Sequence, residues 1–473
     1  MAADPQLAAR LHEFGQDHLL RWADDLEPAA RARLLAEVGA IDLPQVAELF
    51  RHLNQAEAAV DPAQVKPVAV DRLPRTDGER AARRHVAATG EAMLAAGEVG
   101  VIIVAGGSGT RLGFDGPKGT YPIAPVSGKS LFQIHAEKVL ALSRRHGRTI
   151  PLFIMTSPEN FGATSKFFAD HHNFGLGHVR FFVQGQMPAV DRESGRILLA
   201  EKGHVALSPD GHGGTLYALA AHGAGTTPSC LKEMDDLGVR TLFYFQVDNP
   251  MVRIADPAFL GLHRQADAEM SFKVIEKQAP DEKVGVVVEA AGRPQVIEYS
   301  DLPAELGELT GEDGGLLLWA GSIAVHILER TFIERLVEGD ARLPFHRAIK
   351  KVAFVEADGA TVKPEGPNAV KFERFIFDAL PLAKRYALVE CDRAVEFEPL
   401  KNATGPDSPE TVRRRMSEQF AGWLDAAGAK VARGLDGSLP FGIEISPLYA
   451  LDAAELKTKV APGLVVDGPT LIQ

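Results

Sequence analysis

The run VGVIIVA at residues 99–105 passes directly into GGSGTRLGFDGPKG at 106–119, and no other stretch constrains the fold as strongly. A short, β-branched, wholly apolar run ending in glycines is the pattern of a strand buried on both faces, as in parallel sheets. Glycines after such a strand let backbone approach a ligand closely and turn N–H groups toward an anion. Arg111 and Lys118 add fixed positive charge to the same connection. The loop is not a Walker motif: GKS occurs at 128–130, but the position that motif requires to be glycine is Ile123. Nor is it a dinucleotide fingerprint, because a count begun at Gly107 reaches Leu112 where the third glycine belongs. These failures count against a P-loop NTPase and an NAD-dependent dehydrogenase.

Downstream, strand-like runs at 151–157, 179–185, 241–249 and 270–277 alternate with helical segments at 130–147 and 214–223. Ser130 stands where a cap belongs and Gly147 where a helix stops. Such alternation predicts an α/β fold with a mixed, mostly parallel sheet flanked by helices, and ligands at the carboxyl ends of its strands. Residues 284–325 read as an antiparallel insertion. Leu7, Leu11 and Phe14, then Leu34, Leu35 and Val38, predict helices from residue 5 to about 60. The stretch 60–79, with three prolines, reads as a linker and 80–97 as a further helix. The chain after 400 suggests a small β-containing terminal domain. The expected division is an N-terminal helical region and linker (1–95), a central domain (96–390) and a small C-terminal domain (391–473).

A net charge of −12 repels a phosphate backbone and argues against nucleic acid as a partner. It leaves room for a small anionic ligand at a local cationic cluster. Cys230 and Cys391 are the two cysteines; they form no disulfide framework or metal spacing and suit a reducing compartment. The N-terminus has no signal-peptide h-region, and no run approaches the ~18 apolar residues of a membrane helix. The expectation is a cytoplasmic protein without membrane partners.

VAGGSGTRLGFDGPKGTYPI resembles the signature loop of the UDP-sugar pyrophosphorylases, specifically the eukaryotic-type UDP-N-acetylglucosamine pyrophosphorylase family. The resemblance continues in order through GQDHLLRW (15–22), SLFQIHAEK (130–138), MTSPEN (155–160), FFVQGQMPA (181–189), SPDGHGG (208–214), QVDNPMVRIADPAFLG (246–261), VGVV…VIEYS (284–300), NAVKFERFIFDALPLAK (368–384) and EFEPLKN (396–402). It implies a Rossmann-like nucleotidyltransferase domain with small N- and C-terminal domains. The implied enzyme is a uridylyltransferase that joins UTP to a sugar 1-phosphate with Mg2+, releasing pyrophosphate.

The resemblance also implies roles, residue by residue. Ala105, Gly106 and Gly107 hold the nucleotide; Arg111 neutralises the leaving pyrophosphate and Lys118 the UTP phosphates. Gln184 and Gly211 read the uracil, with His212 beside them. Asp248 binds the Mg2+ that bridges the α-phosphate. Gly285, Glu298 and Ser322 meet the sugar, while Lys371 and Lys401 grip its phosphate. By this reading Arg111, Lys118 and Lys401 form the catalytic set, and the glycine-rich segments near 106–119 and 211–214 suggest closure around substrates. His135 and His222 read as surface or satisfied histidines, and Phe372, Phe375 and Phe377 as core. Two positions depart from the acetylglucosamine pattern: His212 stands in PDGHGG and Ser322 in AGS where amide side chains are expected. A short hydroxyl cannot replace both a donor and an acceptor, and Gly-His-Gly is more like the UDP-glucose and broad-specificity enzymes. N-acetylglucosamine 1-phosphate is the favoured sugar, glucose or galactose 1-phosphate the alternative. A catalytically silent nucleotide-sugar-binding protein is the rival from another class.

Overall fold

Alternation of β-branched runs with amphipathic segments builds a ten-stranded mixed sheet. Its strands are β1 (Val65–Pro67), β2 (Val99–Val104), β3 (Leu152–Thr156), β4 (Val179–Val183), β5 (Thr241–Gln246), β6 (Met270–Glu276), β7 (Val286–Ala290), β8 (Arg293–Ile297), β9 (Ala320–Glu329) and β10 (Tyr386–Glu390). The order is β1-β7-β9-β5-β2-β3-β4, with β6 paired to β9 and β10, and β8 paired to β7. β5, β2, β3 and β4 run parallel. The segment expected as an insertion supplies β7, β8 and β9, with β7 antiparallel to both β8 and β9.

The computed structural model describes residues 5–52, 62–222, 226–339, 342–461 and 463–473. The end of the expected N-terminal helices (53–60), the first linker residues (60–61) and residue 223 lie outside the described residues. Contacts divide the chain into two units: 62–183, 218–341 and 379–473 form the larger, and residues up to 61, 184–217 and 342–378 the smaller.

The whole sheet belongs to the larger unit. Helices Asp77–Ala96, Leu131–His146, Pro257–Gln265 and Pro409–Ala426 contribute Met93, Leu131, Phe259 and Met416 to one core with Val101, Ile103 and Phe243. Residues 391–473 therefore share that core. They add the helix Pro409–Ala426 and two short parallel pairs, Lys430–Val431 with Val465–Val466 and Ile443–Ile445 with Thr470–Ile472. The helix Leu131–His146 is capped by Ser130 and ends at Gly147, whose φ of +63° is left-handed. The stretch 60–79 corrects the expectation of a plain linker. It contains β1, which pairs with β7 through Val65 and Ala290, and the first turn of the helix begun at Asp77. Pro67 is tolerated there because β1 is an edge strand.

In the smaller unit, helices Pro5–Glu13, Pro28–Ala40 and Leu43–Arg51 bury Leu7, Leu11, Leu34, Val38 and Val46 with Met187, Val205, Val370 and Phe372. Its three-stranded antiparallel sheet is ordered His346–Lys350, Ala369–Glu373, Val190–Asp191. Phe372 and Phe377 are buried, as expected of core.

Candidate active site

In the larger unit, the connections after β2, β3 and β5 leave the carboxyl ends of parallel neighbours, where open α/β sheets place ligands. The connection after β2 folds back on itself. Gly109 N–H donates to the Gly116 carbonyl at 2.9 Å and Lys118 N–H to the Gly107 carbonyl at 3.1 Å. A Cβ on Gly109 would stand 2.7 Å from the Phe114 ring, so the closure requires glycine. The connection after β3 fastens the start of this loop: Asn160 Nδ2 donates to the carbonyls of Ala105 (2.9 Å) and Gly107 (3.4 Å). The same side chain's Oδ1 accepts the Ser157 N–H, completing the capping box of helix Pro158–Asp170. Arg111 lies exposed on the turn Thr110–Leu112.

Asp248, just past β5, meets that loop. Lys118 Nζ donates to Asp248 Oδ2 and to the Leu400 carbonyl, each at 3.2 Å. The Asp248 carbonyl accepts the Leu400 N–H at 2.8 Å, which sets Lys401 beside the pair. Lys401 N–H in turn donates to the Asp407 carbonyl at 2.8 Å. Burial pushes the Asp407 carboxyl above its ordinary range; the Lys401 charge opposes this and the Asp248 charge adds to it. Among the described residues, no three His, Cys, Asp or Glu side chains form a metal-binding set. A divalent cation here would take the Asp248 carboxylate and complete its shell from phosphate oxygens and water. That is the usual manner of Mg2+ at nucleotide sites, and the all-oxygen donor set fits it.

Helix Leu131–His146 holds the Asp248 loop from behind. His135 Nε2 donates to the Val247 carbonyl at 3.0 Å, and Lys138 Nζ to the carbonyls of Pro250 (2.6 Å) and Val252 (2.9 Å). Burial lowers the His135 pKa to about 3, so the ring is neutral, and the Lys138 pKa to about 7. His135 is thus wholly buried rather than a surface group, with Nδ1 unpartnered among the described residues. His222 is exposed.

Gly285, Glu298 and Ser322 form a second group in the same unit. Ser322 N–H donates to the Gly285 carbonyl at 2.8 Å. A Cβ on Gly285 would lie 3.1 Å from Glu298 Oε1, so the three residues share one patch at the ends of β7, β8 and β9.

The smaller unit carries the remaining residues. Gln184 is buried. The Gly185 carbonyl accepts Asp210 N–H (3.0 Å), the Asp210 carbonyl accepts Arg374 N–H (2.7 Å), and the Arg374 carbonyl accepts Gly213 N–H (2.8 Å). Gly211 has φ of +86°, and its Cβ would lie 2.3 Å from the Arg374 carbonyl oxygen, so no other residue fits. His212 stacks on Phe375 with centroids 5.3 Å apart, and its Nδ1 accepts the Ile376 N–H at 3.1 Å. Burial, then the neighbouring His346, lowers its pKa to about 4. The ring is therefore neutral with its proton on Nε2, a donor only. Burial pushes the Asp210 carboxyl up to about 6 against the pull of Arg374, whose guanidinium lies between Tyr217 and Phe345. Lys371 is half-buried on the strand Ala369–Glu373, opposite Ala348.

The structure thus joins Ala105, Gly106, Gly107, Arg111, Lys118, Asp248 and Lys401 on adjoining loops, with Gly285, Glu298 and Ser322 as a neighbouring set in sequence order on the same sheet. Gln184, Gly211 and His212 gather in the smaller unit, where Lys371 also lies. Sequence reasoning passed over Asn160, Asp210, Asn249 and Arg374. For Asn160 the signal was present, a serine three residues before it at a helix start; the others depend on chain segments meeting from far apart.

Residues 45–405 match the family described as UTP–glucose-1-phosphate uridylyltransferase. The chain is 37% identical to the human UDP-N-acetylhexosamine pyrophosphorylase-like protein 1, over 97% of this chain and 95% of that one. It is 38% identical to the UDP-N-acetylglucosamine pyrophosphorylase of Saccharomyces cerevisiae, over 72% of each. Among solved structures, the inhibitor complex of the Trypanosoma brucei uridine diphosphate N-acetylglucosamine pyrophosphorylase superposes with a TM-score of 0.82. It is 26% identical, with 99% of this chain and 98% of that one covered.

Proposed function

Because the chain belongs to the UTP–glucose-1-phosphate uridylyltransferase family, we propose that it transfers uridylyl from UTP to N-acetylglucosamine 1-phosphate, giving UDP-N-acetylglucosamine and pyrophosphate. One observation carries the mechanism: Lys118, Asp248 and the Leu400–Lys401 backbone meet within 3.2 Å contacts at the carboxyl ends of parallel strands. A phosphate oxygen of the sugar 1-phosphate forms a bond to the UTP α-phosphorus. The bond to the α–β bridging oxygen breaks, and its electron pair leaves with pyrophosphate. The nucleophile is already ionised at neutral pH and needs no base, consistent with a site that holds no nucleophile–base pair. The barrier is anion repulsion and misalignment, which positioned cations and dipoles lower.

In this reading the backbone at Ala105, Gly106 and Gly107 cradles the nucleotide, and Lys118 turns from Asp248 to the triphosphate. Arg111 meets the departing pyrophosphate, and Lys401 orients the sugar phosphate. Gln184 and Gly211 read the base, with His212 alongside. Mg2+, held through Asp248, neutralises charge at the α-phosphate when bound. Gly285, Glu298 and Ser322 receive the sugar. Among the described residues no helix is long and apolar enough to cross a membrane, and both cysteines are unpaired; we place the reaction in the cytoplasm.

A second reading, glucose or galactose 1-phosphate as substrate, is favoured by His212 and Ser322. His212 offers a donor where an amide would offer both a donor and an acceptor. Pyrophosphate release from UTP and Mg2+, with N-acetylglucosamine, glucose and galactose 1-phosphates in parallel, tests both. We expect N-acetylglucosamine 1-phosphate to give the highest kcat/KM. A higher value with glucose 1-phosphate overturns the sugar assignment, and no release with any of the three overturns the enzymatic reading in favour of a binding protein.

A further inference from the structure

Behind Asp248 lies a charged cluster that touches none of the groups assigned to substrate. Lys273, on β6, is 1% exposed. Its Nζ lies 2.8 Å from Asp256 Oδ2 and 2.5 Å from Glu396 Oε2. Burial opposes its charge, but Asp256 and Glu396 outweigh this and raise its pKa above the ordinary lysine value. Asp256 ends the loop begun at Asp248, and Glu396 precedes the segment that ends at Lys401. Asn249, in the first of these stretches, reaches across to the second. Its Nδ2 donates to the Glu396 carbonyl at 2.7 Å, and its Oδ1 accepts the N–H groups of Met251 (3.2 Å) and Glu398 (3.3 Å).

Buried ion pairs contribute little net stability compared with apolar replacements of the same shape, so stability alone does not account for this one. What it does geometrically is clamp the two segments whose meeting point is the bond from Leu400 N–H to the Asp248 carbonyl. We propose that Lys273, Glu396 and Asn249 are positioning residues, which set the spacing of Asp248 and Lys401 without contacting substrate.

The inference rests on the uridylyltransferase reading, and its test separates the two. Lys273→Met alone strands buried carboxylates and is expected to unfold readily. Lys273→Met with Glu396→Gln removes one charge of each sign, leaves Asp256 facing the Arg253 guanidinium at 3.8 Å, and should restore an unfolding midpoint near that of the parent. If the cluster positions the site, turnover by the double variant stays at least tenfold down. The Mg2+ needed for half-maximal rate rises several-fold, while the KM for UTP changes less than threefold. Asn249→Ala should show the same split. Hydrogen exchange at 397–402 should rise in both variants without any ligand, although the fold is intact. Parental turnover, Mg2+ requirement and exchange in a stably folded double variant overturn the proposal. Absence of pyrophosphate release by the parent protein overturns the functional reading instead, and leaves the exchange measurement to decide the clamp.

Discussion

Lys118 and Asp210 show two ways in which one side chain feels its surroundings. Lys118 is held by Asp248 and a carbonyl at 3.2 Å, a charge kept in place and ready for exchange. Lys118→Ala should lower turnover at least a hundredfold, as expected when a positioned cation at developing phosphate charge is lost. Its circular dichroism should be unchanged and its midpoint should fall only a few degrees; turnover within threefold of the parent would remove Lys118 from the chemistry. Asp210 is held up at about 6 by burial. The unfolded carboxyl ionises near the ordinary aspartate value of 3.8, so between those values the native state binds more protons. Stability is then greatest at the acid end and declines as pH rises through about 6. Roughly two pKa units correspond to on the order of 2–3 kcal/mol. Asp210→Asn should flatten that slope between pH 4.5 and 7. It can be followed in the smaller unit through Trp22 in a background lacking Trp319 and Trp423; an unchanged slope would place the titration elsewhere. The glycine loop, its two cations and Asp248 were legible because their motifs are contiguous. Asp210 and Arg374 were not, since 163 positions of chain separate the partners and no local pattern joins them.

At the level of elements, local signals served best where a helix carries its own caps. Ser130 and Gly147 marked both ends of Leu131–His146, as the structure has them. They failed at β1, three residues in a proline-rich stretch whose strand conformation comes from its partner β7 rather than from itself. Asn160 connects this scale to the site, since one amide caps a helix and fastens the loop after β2. Asn160→Ala should cost about 1–2 kcal/mol through the lost cap and the carbonyls left without a partner. It should also raise hydrogen exchange of the 107–116 amides more than that of the distant helix Pro257–Gln265. Equal rises in both would reduce Asn160 to a stability residue. The glycine-rich stretch 106–119 looked adaptable from composition. Its cross-bonds from Gly109 to Gly116 and Lys118 to Gly107 draw its two ends together, and periodicity carries no trace of such bonds.

For the whole molecule, the division into units follows contacts rather than position along the chain. The smaller unit draws on three separated segments, whereas hydrophobic patterning says which face is apolar and not which distant segment covers it. Phe372 is wholly buried in that unit's core together with Leu34 and Val38. Phe372→Ala should destabilise by about 3–5 kcal/mol and loosen the helix Pro28–Ala40, far away in sequence, as seen by hydrogen exchange. Protection of the sheet around β2 should stay near the parental value; equal loss in both places would mean that the two units unfold as one. The same arrangement bears on how the chain is made. Helices at 5–51 leave the ribosome with apolar faces whose last covering strand, Ala369–Glu373, is synthesised some 320 residues later. At about 5–20 residues per second that interval is roughly 15–60 s. During translation the nascent chain must therefore carry an uncovered oily surface for far longer than any of its helices takes to form, which makes it a natural client for holding chaperones.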